Sequence, residues 1–198
     1  RYPGGDLGIY QADGFKKRTV FSGWDVFRSQ FPLQTIINPE LVNDQICSQI
    51  TMAEQSGKEF YERWEMLNAY TGCMLGNPMA SVILDAYRKG IRNYDIDKAF
   101  EYMVNSSEKS RVQYSVYDNM DAIYLSHALE HAYFDWCIGQ MASDLGKDDI
   151  AKEFAEKADA WKDTMHPKYR WPYPKDAEGN WREMPEKGLA TMFFGACE

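Results

Sequence analysis

The run Leu129-Glu130-His131-Ala132-Tyr133-Phe134-Asp135-Trp136-Cys137-Ile138-Gly139-Gln140-Met141 puts apolar side chains on both faces of a helix. A helix of that kind is packed on two sides, so the stretch predicts a deeply placed helix running from about Met120 to Leu145. Gly146 closes it. After Lys147-Asp148, residues Ile150, Phe154, Ala158, Trp161 and Met165 trace one stripe on an otherwise charged helix, the pattern of an outer helix laid over an inner one. Upstream, Asn38-Pro39 reads as an N-cap followed by proline in the first turn, with Val42, Ile46, Ile50 and Ala53 repeating behind it and an end near Gly57. Met79, Val82, Ile83, Ala86 and Tyr87 form a further stripe closed by Gly90. Ile96, Ala99, Phe100, Met103 and Val104 form another, expected to stop around Asn105-Ser106. An apolar helix alternating with an amphipathic partner predicts an all-α fold of paired helices in two layers, part of an α/α toroid.

Composition narrows the function. The 198 residues are 44% hydrophobic and 26% charged, a globular mixture, and no apolar run approaches the roughly 18 to 20 residues a membrane span needs. Thirty acidic side chains against 22 basic ones give a net charge of −8 with no basic cluster, which argues against nucleic acid and anionic lipid as partners. Cys47, Cys73, Cys137 and Cys197 are widely spaced with no C-x-x-C pair, so neither a structural zinc site nor a disulfide scaffold is indicated. The first residues hold no signal-like apolar core, and the apolar close Phe194-Gly195-Ala196-Cys197-Glu198 reads as a cut, so the chain is expected to be a fragment.

Four stretches bear on chemistry. His127-Ala128-Leu129-Glu130-His131 matches H-x-x-E-H on a helix, in which two histidines four apart bind zinc and the glutamate acts as base; the alternative is a pair of ordinary hydrogen-bonded histidines. Phe21 to Leu33 sets Trp24, Asp25 and Arg28 within five positions at a helix start. They read either as an Asp25 to Arg28 pair beside a packed tryptophan or as a sugar cradle, an aromatic platform next to a carboxylate. Gly76-Asn77-Pro78 reads either as a turn exposing the start of the helix that carries Asp85 to anions or hydroxyl oxygens, or simply as a capped turn. From His166 to Pro185 prolines alternate with Tyr169, Trp171, Tyr173 and Trp181 in a long loop whose rings either stack on sugars or pin the loop to the body. No G-x-G-x-x-G, Walker loop or G-x-S-x-G elbow is present, so nucleotide and acyl-transfer chemistry lose support.

Taken in order, these segments resemble the catalytic domain of glycoside hydrolase family 92, calcium-dependent exo-acting α-mannosidases of gut Bacteroidetes. The resemblance is carried by Phe21 to Leu33 with Asn38-Pro39-Glu40, by Cys73 to Pro78 with Asp85 to Ile91, by Leu125 to Trp136, by Gly179-Asn180-Trp181 and by Gly195 to Glu198. It implies that residues 1–198 are a single segment, the N-terminal part of an (α/α)6 barrel, with a β-sandwich domain and the rest of the barrel elsewhere. It also implies an inverting reaction: one carboxylic acid protonates the leaving oxygen while a second carboxylate, roughly 6.5 to 9.5 Å away, activates water. Glu198 falls on the general acid. Trp24 and Asp25 fall on the terminal-mannose pocket, with Arg28 and Asn77 as further substrate-binding positions and Asp85 as a motif position whose role is open. The base and most of the Ca2+ ligands are expected beyond this chain, and no metal ligand is assigned within it.

The resemblance further implies a mannose-containing oligosaccharide as ligand, most naturally α-1,2-linked mannose of N-glycans or mannan. It implies the remainder of the same enzyme as partner, and a periplasmic or cell-surface location. Two other readings stand beside it: a zinc metallopeptidase built on His127, Glu130 and His131, and a glycan-binding toroid that turns nothing over.

Overall fold

The computed structural model describes residues 1–4, 6–113, 121–173, 175 and 179–181. An antiparallel pair, β1 (Tyr2–Pro3) and β2 (Ile9–Tyr10), precedes β3 (Phe21–Ser22), which runs straight into α1 (Gly23–Val26) and then α2 (Gln30–Ile37). α3 (Pro39–Gln55) starts where the Asn-Pro pair puts it: Asn38 Oδ1 accepts from the Leu41 N–H at 3.3 Å, and Pro39 has no N–H to leave unpaired in the first turn. Gly57, with φ at +67°, takes the left-handed position beyond its end.

Next comes a hairpin the all-α expectation did not include. β4 (Trp64–Met66) and β5 (Ala69–Tyr70) add to β3 in a three-stranded antiparallel sheet, in the order β3, β4, β5. Leu67 and Asn68 form its two-residue loop with φ of +52° and +65°, the hand of turn that suits twisted strands. Strands this short leave no periodicity to read. Hydrogen bonds hold them instead: Glu65 Oε1 accepts from the Thr19 hydroxyl (2.7 Å) and the Asn68 N–H (2.5 Å), while Asn68 Nδ2 donates to the Pro3 carbonyl (2.9 Å).

The remaining helices are α4 (Pro78–Arg88), α5 (Ile96–Gln113), α6 (Asp121–Asp144) and α7 (Asp148–Ala158), the last running into a 3-10 turn, Asp159–Thr164. α5 continues well past Asn105-Ser106. The serines there do not break it, because Ser106 Oγ bonds back to the Tyr102 carbonyl (2.5 Å) while accepting from the Tyr61 N–H (2.8 Å). Ser107 Oγ, also buried, donates to Asp135 of α6 (2.6 Å). None of the helices among the described residues is long and apolar enough to cross a membrane.

Contacts between the helices fix their directions. Arg88 at the end of α4 bonds Asp144 (2.6 Å) and Gln140 (3.0 Å) near the end of α6, and Ser81 meets the Tyr133 hydroxyl (3.2 Å), so α4 and α6 run the same way. Asn43 donates to the Asn93 carbonyl (3.0 Å), Lys98 pairs with Glu54, and Asn105 donates to the Glu59 carbonyl (3.0 Å), so α3 and α5 also run together, against α4. α7 folds back on α6, with Gly139 facing Ala151 and Phe154 at ordinary contact distance.

Val42, Ile46, Met79, Ile83, Met103, Phe134, Ile138 and Met141 fill the space between these layers. The described residues therefore give a mostly helical fold with two small antiparallel sheets. Closure into a six-pair ring requires more chain than they contain.

The turn into α4 is a tight point. Gly76 has φ at +79°, and a Cβ on it would lie 2.3 Å from the Phe134 ring. Gly90 has φ at +85° with nothing within 4 Å of such a Cβ. Gly90→Ala is expected to cost about 1 to 2 kcal/mol, the strain of a left-handed residue alone. Gly76→Ala should cost clearly more, about 3 kcal/mol or above, because the backbone or the Phe134 ring must also move. Urea unfolding of the two variants side by side measures the difference, and equal losses would show that the turn does not press on α6.

Candidate functional site

Three segments converge at the end of the layers where α4 begins: the residues after α1, the turn at Gly76, and the first half of α6. Arg28 lies beyond the last residue of α1, so the three-residue spacing to Asp25 is not continued on a helix and the expected pair between them does not form. Instead the guanidinium carbon sits 4.8 Å from the centre of the Trp24 ring and 5.3 Å from that of Phe27, and Nε donates to the Trp24 carbonyl at 2.8 Å. Trp24 is half-buried under this cover. Asp25 is exposed, and its Oδ2 accepts from the Ser22 hydroxyl at 2.5 Å.

Phe27 anchors the group to α6, its ring edge-on to Phe134 at 5.1 Å and close to Tyr133 at 5.7 Å. The same helix brings Glu130 to the Gly76 turn, with Oε2 3.4 Å from where a Cβ would stand. Burial pushes the Glu130 carboxyl above the ordinary glutamate value, and the positive charge of Arg28 opposes that shift.

Asn77 and Asp85 do different work. Asn77 is 2% exposed, so the turn does not expose the helix start as its sequence suggested. Its Nδ2 donates to the Met103 carbonyl at 3.2 Å, fastening the start of α4 to α5. Asp85 lies two turns further along and pairs with Lys89 at 2.8 Å, whose ammonium also donates to Thr35 of α2 at 2.8 Å. Beside them runs a groove of about 450 Å³ whose lining includes Arg28, Ser81, Asp85, Tyr133, Trp136 and Cys137.

The two histidines of α6 stack with ring centres 6.0 Å apart, and His131 is buried. Among the described residues no group of three or more His, Cys, Asp and Glu comes close enough to hold a metal ion. The H-x-x-E-H pattern therefore lacks a third ligand there. In the aromatic loop the rings pack on one another: His166 lies 4.4 Å from Tyr169, 5.2 Å from Tyr173 and 4.7 Å from Trp181, centre to centre. Trp171 alone among the described rings of that loop remains largely exposed. Glu198 lies outside the described residues.

Sequence reasoning missed a buried charged pair in the loop before the hairpin. Arg63, 1% exposed, donates through Nη2 to the Gly72 carbonyl at 2.5 Å. The Glu62 carboxylate accepts from the N–H groups of Arg63 (2.7 Å), Gly72 (3.2 Å) and Trp64 (3.4 Å). Burial pushes the Glu62 carboxyl up, with those N–H groups pulling the other way. The pair closes the loop that carries the chain toward Gly76. Its only trace in the sequence is two adjacent charges inside the aromatic run Phe60 to Trp64.

Residues 1–193 match the family model described as the glycosyl hydrolase family 92 catalytic domain. The chain is similar to the solved family GH92 alpha-mannosidase BT3965 from Bacteroides thetaiotaomicron at 30% identity and a TM-score of 0.83, covering 91% of this chain and 25% of that one. The same enzyme in complex with mannoimidazole superposes at a TM-score of 0.82 over the same shares, at 29% identity. The family GH92 inverting mannosidase BT2199 from Bacteroides thetaiotaomicron VPI-5482 is similar at 32% identity and a TM-score of 0.73, covering 83% of this chain and 24% of that one. The chain thus spans about a quarter of the length of the solved structures it matches. Among curated proteins no sequence matches it.

Thiol chemistry checks the packing of this region. Burial pushes the Cys137 thiol up to about 12, whereas Cys73 is exposed. A thiolate is the reactive form, so a disulfide reagent at pH 8 should label Cys73 in the native chain and reach Cys137 only after unfolding. Peptide mapping by mass spectrometry reads both, and rapid native labelling of Cys137 would mean that α6 is not packed as described.

Proposed function

The chain belongs to glycosyl hydrolase family 92, and on that footing we propose that it forms part of an exo-acting, inverting α-mannosidase that releases terminal mannose. The observation that carries this is the superposition of 91% of the chain, at 30% identity, on a solved alpha-mannosidase. One relative is described as inverting, and another structure holds mannoimidazole, which supports a mannose-shaped ligand. The preferred substrate in this reading is α-1,2-linked mannose of N-glycans or mannan, met in the periplasm or at the cell surface.

The chain's own residues have defined parts in this reaction. Asp25, exposed with one oxygen held by Ser22, accepts hydrogen bonds from sugar hydroxyls. Arg28 covers one face of Trp24 and presents its remaining N–H groups at the edge of the ring. Asn77 acts at one remove, holding α4 on α5 so that the Gly76 turn keeps its place. Glu198 is the general acid, giving its proton to the departing oxygen as water attacks the opposite face of the anomeric carbon. A base from elsewhere in the enzyme takes the proton from that water.

Calcium dependence belongs to the same proposal. Most of the oxygen ligands that hold Ca2+ in this reading come from the rest of the enzyme, as the family resemblance implies. That remainder is also the partner proposed for the exposed side chains Leu33, Ile36 and Ile37 of α2, since exposed apolar residues close together on one short helix mark an interface.

In the complete enzyme, Glu198→Gln should lower turnover of an alkyl α-mannoside by about 10²- to 10⁴-fold, the usual contribution of a positioned proton donor. Affinity for mannose should persist. Removing calcium with a chelator should stop the wild-type enzyme, and added Ca2+ should restore it. An unchanged rate in Glu198→Gln would move the acid to another residue, and full activity under chelation would end the metal requirement.

A further inference from the structure

Glu130 has no evident structural partner. It is half-buried on α6, and among the described residues no donor reaches its carboxylate. Arg28 is brought to this side of α6 by Phe27, whose ring centre lies 5.3 Å from the guanidinium carbon and 5.1 Å from that of Phe134, one turn along α6 from Glu130, yet no ion pair closes between Arg28 and Glu130. Arg28 for its part uses Nε on the Trp24 carbonyl, and its two terminal nitrogens donate to no described residue. Glu130 stands where the chain has made room. A side chain at position 76 would fill the space beside Glu130 Oε2, and Gly76 leaves it open.

An acceptor and a donor held near each other without meeting suit a group that is both, and a sugar hydroxyl donates one hydrogen bond while accepting others. The aromatic rings of Trp24 and Phe27 wall the gap on the Arg28 side. We propose that Glu130 is a substrate-binding residue which, with Arg28 opposite, clamps a hydroxyl of the terminal mannose between carboxylate and guanidinium. The sugar O–H donates to Glu130, and an Arg28 N–H donates to the same oxygen or its neighbour. A carboxylate kept half out of water without donors is costly to the folded chain, which is the sign of a group retained for its ligand.

This inference rests on the mannosidase reading, and its test separates the two. The probe is mannoimidazole, titrated calorimetrically into the complete enzyme with calcium present, for wild type, Glu130→Gln, Glu130→Ala, Arg28→Ala and the Glu130→Ala/Arg28→Ala pair. Loss of a hydrogen bond to a charged group weakens binding by about 10- to 100-fold, so Glu130→Ala should do so and Glu130→Gln, which keeps one acceptor oxygen, should do so less. The double variant should lose less than the product of the two single losses, because both act on one hydroxyl. Thermal melting should show Glu130→Gln at least as stable as wild type, since a buried charge has been removed.

Undiminished affinity in Glu130→Ala, with wild type binding normally, would overturn the clamp and leave the mannosidase reading standing. The same holds for a variant that melts markedly lower yet binds as well as wild type, which would make Glu130 structural. Failure of the wild-type enzyme to bind mannoimidazole would overturn both.

Discussion

One close approach governs the rest of this structure: the turn at Gly76 crossing α6 at Phe134 and Glu130. The φ of +79° and the 2.3 Å that a Cβ would have to the Phe134 ring make residue 76 a position for glycine on two independent grounds. From that crossing the start of α4 is set, since Asn77 is then within reach of the Met103 carbonyl and α4 is fastened to α5. Phe27 meets the same Phe134 ring edge-on at 5.1 Å, so the segment with Trp24, Asp25 and Arg28 is docked on the helix that presents Glu130. Deleting a buried ring of this kind typically costs about 3 to 5 kcal/mol. Here the loss would also free three segments from one another.

Polar groups, more than apolar area, decide the geometry at this end. Glu62 and Arg63 are buried together and tie the loop to backbone at Gly72. Glu65 collects the Thr19 hydroxyl and the Asn68 N–H to hold the hairpin. Ser106 and Ser107 satisfy themselves within α5 and on α6. Each is a buried polar group with a named partner, as a low-dielectric interior demands. Against that background Glu130 and the terminal nitrogens of Arg28 stand out as charged groups of the converging segments that make no hydrogen bond to any described residue.

The helices were legible because their signals are local. Asn38-Pro39 marks the start of α3, the glycines at 57, 90 and 146 take left-handed positions after helix ends, and the two-sided apolar pattern of α6 matches a helix packed between α5 and α7. What could not be read depends on contacts between distant residues. Asn105-Ser106 resembles a helix end until Tyr61 supplies a partner for the Ser106 hydroxyl. The strands of the hairpin are too short for a period of two to show.

The site was legible as a list of residues and not as an arrangement. Trp24 and Arg28 do sit together, but as a cation on a ring, because α1 is a single turn and stops before Arg28. Glu130 was visible only as the middle of a metal-binding pattern; its position beside Gly76 and Arg28 comes from the crossing of α4 and α6, which no spacing within α6 encodes. The central claim, that the enzyme containing this chain inverts the anomeric carbon of an α-mannoside, is tested most directly by proton NMR of the sugar as the complete enzyme first releases it. The account predicts β-mannose in the first spectra, drifting to the equilibrium mixture afterwards. Initial release of α-mannose, or no mannose at all, would contradict it.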